Sequence, residues 1–180
     1  MSDLPSSDRY HHITAMLGYA GSLPFIIGVA VMLNARFYGE GLQSAALFSF
    51  YAPYVFIGYS VVILSFLSGA LWERSRLADS ARSAGAAILF SNAVALSAWL
   101  SLLLIYLAPI MSLFAVCLLM AGFLSLLWVE RLALRQQAES SSQTSPTQLL
   151  SNGYWSMRVR ITTLVVLTHI VVAALMLEEL

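Results

Sequence analysis

Two polar side chains inside apolar stretches are the first candidates for chemistry. His169 lies midway along the last apolar stretch, where an ionisable residue indicates a function by default. Proton relay needs a chain of titratable groups, and the apolar stretches contain no Asp or Glu to continue one. We therefore expect a neutral imidazole that donates one hydrogen bond to a carbonyl or hydroxyl group of another helix. Asn92 lies in the first half of the third stretch, and we expect its amide to bond across helices.

Other reactive groups are few. Cys117 is the single cysteine, which excludes an internal disulfide and a site built from several thiolates. We expect it to be a buried, inert thiol. The sequence contains no nucleophile with a base, no metal-binding box, no phosphate loop and no nucleotide fingerprint. It therefore predicts no catalytic residue, no cofactor and no metal.

A third group of candidates lies where apolar stretches meet arginine-rich loops. It combines Trp, which favours a membrane interface, with Glu and Arg, which form ion pairs or bind anionic lipid headgroups. We expect ion pairs between Glu73 or Glu130 and the arginines of the fifth stretch, which would fix the ends of three helices. The residues of this expected anchor are Trp72, Glu73, Trp128, Glu130, Arg131, Trp155, Arg158 and Arg160.

Small residues recur at helical spacing within the apolar stretches. Helices in lipid associate through close packing of such residues and through a few interhelical hydrogen bonds. The candidates for helix packing are Gly18, Gly21, Pro24, Ser65, Ser68, Gly69, Ser97, Ala121 and Gly122. The same residues could line a ligand cleft, and this alternative stays open.

The composition indicates the class of protein that positions these side chains. Of the 180 residues, 59% are hydrophobic and 10% are charged, whereas a soluble domain has roughly a quarter charged. The mean hydropathy is +0.81, so most of the chain must face lipid. The formal net charge is zero, which excludes nucleic acid as a plausible partner.

Five apolar stretches have about the 20 residues that a helix needs to cross a bilayer. The fold class is therefore all-α, a polytopic bundle of five transmembrane helices. The predicted spans are 13–33, 53–72, 86–108, 110–128 and 157–177, with the third and fourth joined as a tight hairpin. Residues 1–12 form an N-terminal segment, 136–153 a flexible polar linker, and 178–180 a short tail.

The arginines predict the orientation. With five spans, eight arginines fall on the side of the N-terminus and only Arg36 falls on the other. Because arginine favours the cytoplasmic side, we expect the N-terminus inside and the C-terminus outside. The expected location is the bacterial inner membrane, or the mitochondrial inner membrane if the protein is eukaryotic.

Several motifs resemble a family of unknown function. They are Leu17 to Phe25, Tyr59 to Trp72, Ser97 to Trp99, Gly122 to Arg131, and Tyr154-Trp155 with Arg158. Together they resemble the domain of unknown function 3429, a family of small multi-pass inner-membrane proteins that includes transmembrane protein 69. Relatives often have Gly-Gly and a His just before the Trp, where this chain has Ser68 and Leu71. The resemblance implies a fold and no settled activity.

Three functions remain open. The first is a non-enzymatic accessory or assembly factor that packs against a larger inner-membrane complex, with the lipid bilayer as its other partner. The second is a small transporter or channel with a cavity near Pro24, Asn92 and His169. The third is a quinone- or lipid-handling membrane enzyme that uses the aromatic residues near the inner interface.

Overall fold

The computed structural model describes residues 16–76, 81–140 and 146–179. Its main helices are α1 (Leu23–Tyr38), α2 (Ala52–Arg76), α3 (Ala81–Leu104), α4 (Pro109–Ser140) and α5 (Pro146–Leu177). Within the described residues, five helical stretches are long and apolar enough to cross a membrane. This confirms the prediction of a helical fold with five apolar helices long enough to span a membrane. The predicted segment 1–12 and the last residue of the tail lie outside the described residues.

Proline defines the start of four helices. Pro24 and Pro53 occupy the first turns of α1 and α2, while Pro109 and Pro146 begin α4 and α5. The first turn accommodates proline because its backbone N–H groups have no intrahelical acceptor. Residues 16–20 are also helical, and a turn at 21–22 separates them from α1.

The helix ends differ from the predicted spans. α1 continues to Tyr38, five residues past the predicted end at 33, and stops where the backbone N–H of Gly39 bonds to the carbonyl of Ala35. α4 and α5 extend into both ends of the segment predicted as a linker, 136–153. Hydropathy marks only the apolar part of a helix, so these polar extensions could not be found from it. Pro109 follows the short link after α3, as the predicted hairpin requires.

The helices form one bundle with α2 and α4 in contact at its centre. α2 packs against α1, α3 and α4, while α5 closes the bundle between α4 and α1. Neighbouring helices run in opposite directions, so different helices finish at the two ends of the bundle. We call them the Glu130 end, where α2 and α4 finish, and the Glu178 end, where α1 and α5 finish.

The connection between α1 and α2 folds over the Glu178 end. It contains a 3-10 turn (Leu42–Ser44) and an antiparallel hairpin of β1 (Ala46–Leu47) and β2 (Phe50–Tyr51). The tail after α5 holds this connection in place. Glu179 accepts a 2.7 Å hydrogen bond from the backbone N–H of Leu42, and Glu178 pairs with Arg36 at 3.2 Å.

Candidate functional site

His169 lies in the centre of the bundle and is fully buried. Three aromatic rings surround its imidazole, each from a different helix. The ring centroids lie 5.8 Å away for Phe25 of α1, 4.8 Å for Phe56 of α2 and 5.4 Å for Phe123 of α4. The side chain of α5 therefore connects four helices through aromatic contacts.

The hydrogen bonding of His169 differs from the prediction. Nδ1 lies 2.8 Å from the carbonyl oxygen of Val165, one turn earlier in the same helix, so the expected partner on another helix was wrong. The carbonyl oxygen only accepts, so Nδ1 is the donor, and in the neutral tautomer with this proton Nε2 keeps its lone pair. Nε2 is buried and has no hydrogen-bond partner among the described residues. Sequence reasoning missed the aromatic cage because its members are far apart in the chain.

An ion cluster occupies the Glu130 end. Glu130 of α4 is 3% exposed and accepts hydrogen bonds from two arginines. Nη2 of Arg74 from α2 lies 2.7 Å from Oε1, and Nε of Arg158 from α5 lies 2.8 Å from Oε2. Arg74 also donates to the Tyr154 hydroxyl at 3.2 Å and lies over the Tyr154 ring. The cluster therefore ties together α2, α4 and α5.

The cluster agrees only in part with the expected anchor. The pair of Glu130 with Arg158 is present, whereas Glu73 pairs with Arg76 one turn along α2. Arg74 was not predicted as a partner of Glu130. Its place next to Glu73, a member of the expected anchor, could have suggested it. The remaining members of the expected anchor do not enter this cluster: Trp72, Trp128, Arg131 and Arg160 are exposed, and Trp155 is half-buried.

A groove of about 240 Å³ opens between α2 and α3. We call it the α2–α3 groove, and its lining residues are Ser68, Gly69, Trp72, Ser91, Asn92 and Ala95. Asn92 is exposed, and its amide nitrogen donates to the carbonyl of Ile88 in its own helix at 2.9 Å. The expectation that Asn92 bonds across helices was therefore wrong for the isolated chain. Its side chain lies on the surface of the bundle, where it lines the groove.

Asn92 belongs to an exposed stripe along α3. The stripe contains Leu89, Asn92, Leu96, Trp99 and Leu103, all of which are exposed. These residues follow one another at intervals of three, four, three and four, which is the spacing of a seam that packs against a second, nearly parallel helix. Sequence reasoning missed the stripe, although this spacing is visible in the sequence.

The small residues have different surroundings. A Cβ at Gly122 would lie 2.6 Å from a methyl group of Leu64, so this glycine permits the close contact of α4 with α2. A Cβ at Gly18 would lie 3.0 Å from Ile161, and the Gly21 carbonyl accepts a hydrogen bond from Tyr59 at 2.8 Å.

The other packing candidates contribute less to the bundle. Ser68 is buried, while Ser65 and Ser97 are half-buried. Gly69 and Ala121 are exposed, and a Cβ at Gly69 would meet nothing within 4 Å. Cys117 is exposed as well, so the expectation of a buried thiol was wrong.

The residues expected around a transport cavity do not come together. Pro24 and Asn92 are exposed on the surface of the bundle, whereas His169 is fully buried in its centre. In the described ranges, no group of three or more His, Cys, Asp or Glu side chains is arranged to hold a metal ion.

Comparison with known proteins places the chain among its relatives. The family model for the "Protein of unknown function (DUF3429)" matches residues 10–174. The chain belongs to the DUF3429 family. No curated protein and no solved structure matches it. The part that matches DUF3429 contains the aromatic cage, the ion cluster and the α2–α3 groove.

Proposed function

We propose that this chain is a non-enzymatic accessory or assembly subunit of a larger inner-membrane complex, with its N-terminus in the cytoplasm. A transmembrane helix of the partner would dock in the α2–α3 groove. The observation that carries the proposal is the exposed Asn92 amide inside an apolar span. The inner membrane and the orientation rest on the eight arginines at one side of the spans.

The depth of Asn92 decides what can contact it. Asn92 lies about 12 Å along α3 from Ala84, where the apolar stretch begins. In a bilayer this depth belongs to the acyl chains, which offer no hydrogen bond. The amide donates one N–H to the carbonyl of Ile88. Among the described residues, its other N–H and its carbonyl oxygen have no hydrogen-bond partner. A polar group on a partner helix would satisfy both.

The small residues that line the groove favour the close approach of a helix. Small residues line both of its sides, with Ser68 and Gly69 on α2 and Ser91 and Ala95 on α3. Side chains of this size let a third backbone approach closely, as helix association in lipid requires. The Ser68 and Ser91 hydroxyls already donate to carbonyls of their own helices, so Asn92 is the group that selects the partner.

Co-purification with matched variants tests the proposal. The wild-type chain, Asn92→Leu and Ala93→Leu are extracted from their native membrane in mild detergent, and bound proteins are identified by mass spectrometry. Ala93 is exposed next to Asn92 but lies outside the groove, so it controls for added bulk. We expect a stoichiometric partner with wild type and Ala93→Leu, and its loss with Asn92→Leu. A monodisperse monomer in all three cases, or equal recovery of the partner with all three, would overturn the proposal.

A further inference from the structure

We infer that Arg74 and Arg158 bind the phosphate group of an anionic phospholipid at the Glu130 end. The first reason is a charge imbalance. Two guanidinium groups share the single carboxylate of Glu130, so the cluster carries one positive charge more than its recorded partner neutralises. The Arg158 side chain is 9% exposed and that of Glu130 is 3% exposed. The Arg74 side chain is 50% exposed, so the excess charge lies at the accessible side of the cluster, where an external anion would neutralise it.

The second reason is the number of N–H groups left over. A guanidinium has five N–H donors in a planar fork. Arg74 uses Nη2 for Glu130 and Tyr154, and Arg158 uses Nε for Glu130. For the remaining nitrogens of both arginines, the described residues supply no recorded acceptor. Phosphate oxygens, like those of a carboxylate, match this fork geometry.

The third reason is the position of the cluster. It lies near the ends of the apolar spans Ala52–Arg76, Ile110–Arg135 and Tyr154–Leu177, where lipid headgroups meet a membrane protein. Arg74 is half-exposed, so its guanidinium is accessible from the surface, while Glu130 and Tyr154 hold it in place. Exposed arginines on α4 and α5 add a positive field: Arg131, Arg135 and Arg160. A phospholipid is therefore favoured over a free ion, because its acyl chains would lie along the apolar helices below.

The test compares a variant that lacks an arginine inside the cluster with a variant that lacks an arginine outside it. Arg74→Gln leaves Glu130 paired with Arg158 and brings the cluster to neutrality, so the chain should fold. Arg76→Gln removes the same charge two residues along α2, from an exposed pair with Glu73. Arg158→Lys keeps the charge and loses the fork. Each purified full-length chain is titrated in mild detergent with dioleoylphosphatidylglycerol, dioleoylphosphatidylcholine or inorganic phosphate, while Tm and retained lipid are measured.

We expect phosphatidylglycerol to raise the Tm of wild type and Arg76→Gln and to be retained by both in native mass spectrometry. Arg74→Gln should bind it about tenfold more weakly, since a charged hydrogen bond is lost, and Arg158→Lys should also bind more weakly. Equal responses of Arg74→Gln and Arg76→Gln would overturn the inference, as would equal effects of the two lipids. A response to inorganic phosphate as large as that to phosphatidylglycerol would show a site for a free anion and overturn the lipid assignment.

Discussion

At the residue scale, His169 places a polar ring among three phenylalanines. Its Nε2 lone pair has no partner among the described residues, and the carbonyl bonded to Nδ1 also lies within a helical backbone. An apolar side chain of similar volume removes the buried lone pair and keeps the packing. We therefore expect the bundle to form without the imidazole.

The first prediction contrasts two substitutions at this position. His169→Leu should leave the free energy of unfolding nearly unchanged or raise it, because no hydrogen-bond partner is stranded. His169→Ala should lower it by about 2–5 kcal/mol, since it opens a cavity between Phe25, Phe56 and Phe123. Unfolding by SDS in mixed micelles measures both. A loss with Leu as large as that with Ala would show that the imidazole itself is needed.

The second prediction concerns Glu130. Glu130→Ala leaves Arg74 and Arg158 without their shared carboxylate, so it should destabilise the chain by about 3–5 kcal/mol. Glu73→Ala breaks an exposed pair on one helix and should change stability little. Both are measured as shifts of the unfolding midpoint in the same detergent. Similar shifts for the two variants would contradict a special role for the buried cluster.

The sequence predicts some contacts of these residues and not others. It predicts an ion pair between Glu73 or Glu130 and an arginine of the fifth stretch, because these residues lie at the same predicted ends of their helices, but it does not choose among them. It cannot show that Arg74, and not Arg160, completes the cluster, since this depends on how each helix is rotated about its axis. The same unknown rotation explains why Asn92 was expected inside the bundle and why the Phe rings around His169 were missed.

At the element scale, the central contact of α2 with α4 depends on Gly122. The position of a Cβ on this glycine would fall 2.6 Å from a methyl group of Leu64, which is itself fully buried. A larger side chain at position 122 would therefore push the two helices apart and disturb the core. Small residues at regular spacing predict that helices meet, but not which glycine makes the contact: Gly69, in a similar pattern, faces open space.

The third prediction uses this difference between glycines. Gly122→Ile should lower the free energy of unfolding by about 1–3 kcal/mol, because the added side chain overlaps Leu64. Gly58→Ile is the control, since a Cβ there meets nothing within 4 Å. SDS unfolding of both variants gives the comparison. If Gly58→Ile were the more destabilising of the two, the assigned contact between α2 and α4 would be wrong.

At the scale of the whole molecule, five apolar helices and the excess of arginine at one end predict how the chain sits in a membrane. The number of spans follows from hydropathy alone, because the apolar runs are separated by polar residues or by proline. The ends of α4 and α5 are polar and could not be placed in this way. The groove between α2 and α3 required the three-dimensional arrangement of the helices.

The fourth prediction tests the orientation. In a Cys117→Ala chain, Gln43→Cys lies on the Glu178 side and Arg135→Cys on the Glu130 side, and both positions are exposed. A membrane-impermeant maleimide added to spheroplasts should label Gln43→Cys at once and Arg135→Cys only after lysis. The reverse pattern would contradict a cytoplasmic N-terminus.

The most direct test of the central claim is photocrosslinking in the native membrane from the α2–α3 groove. A photoreactive amino acid at position 92 is compared with one at position 114, an exposed residue of α4 outside the groove. We expect one discrete adduct from position 92, with the mass of this chain plus one different protein, and none from position 114. An adduct of two copies of this chain, the same products from both positions, or crosslinks to lipid alone would contradict it.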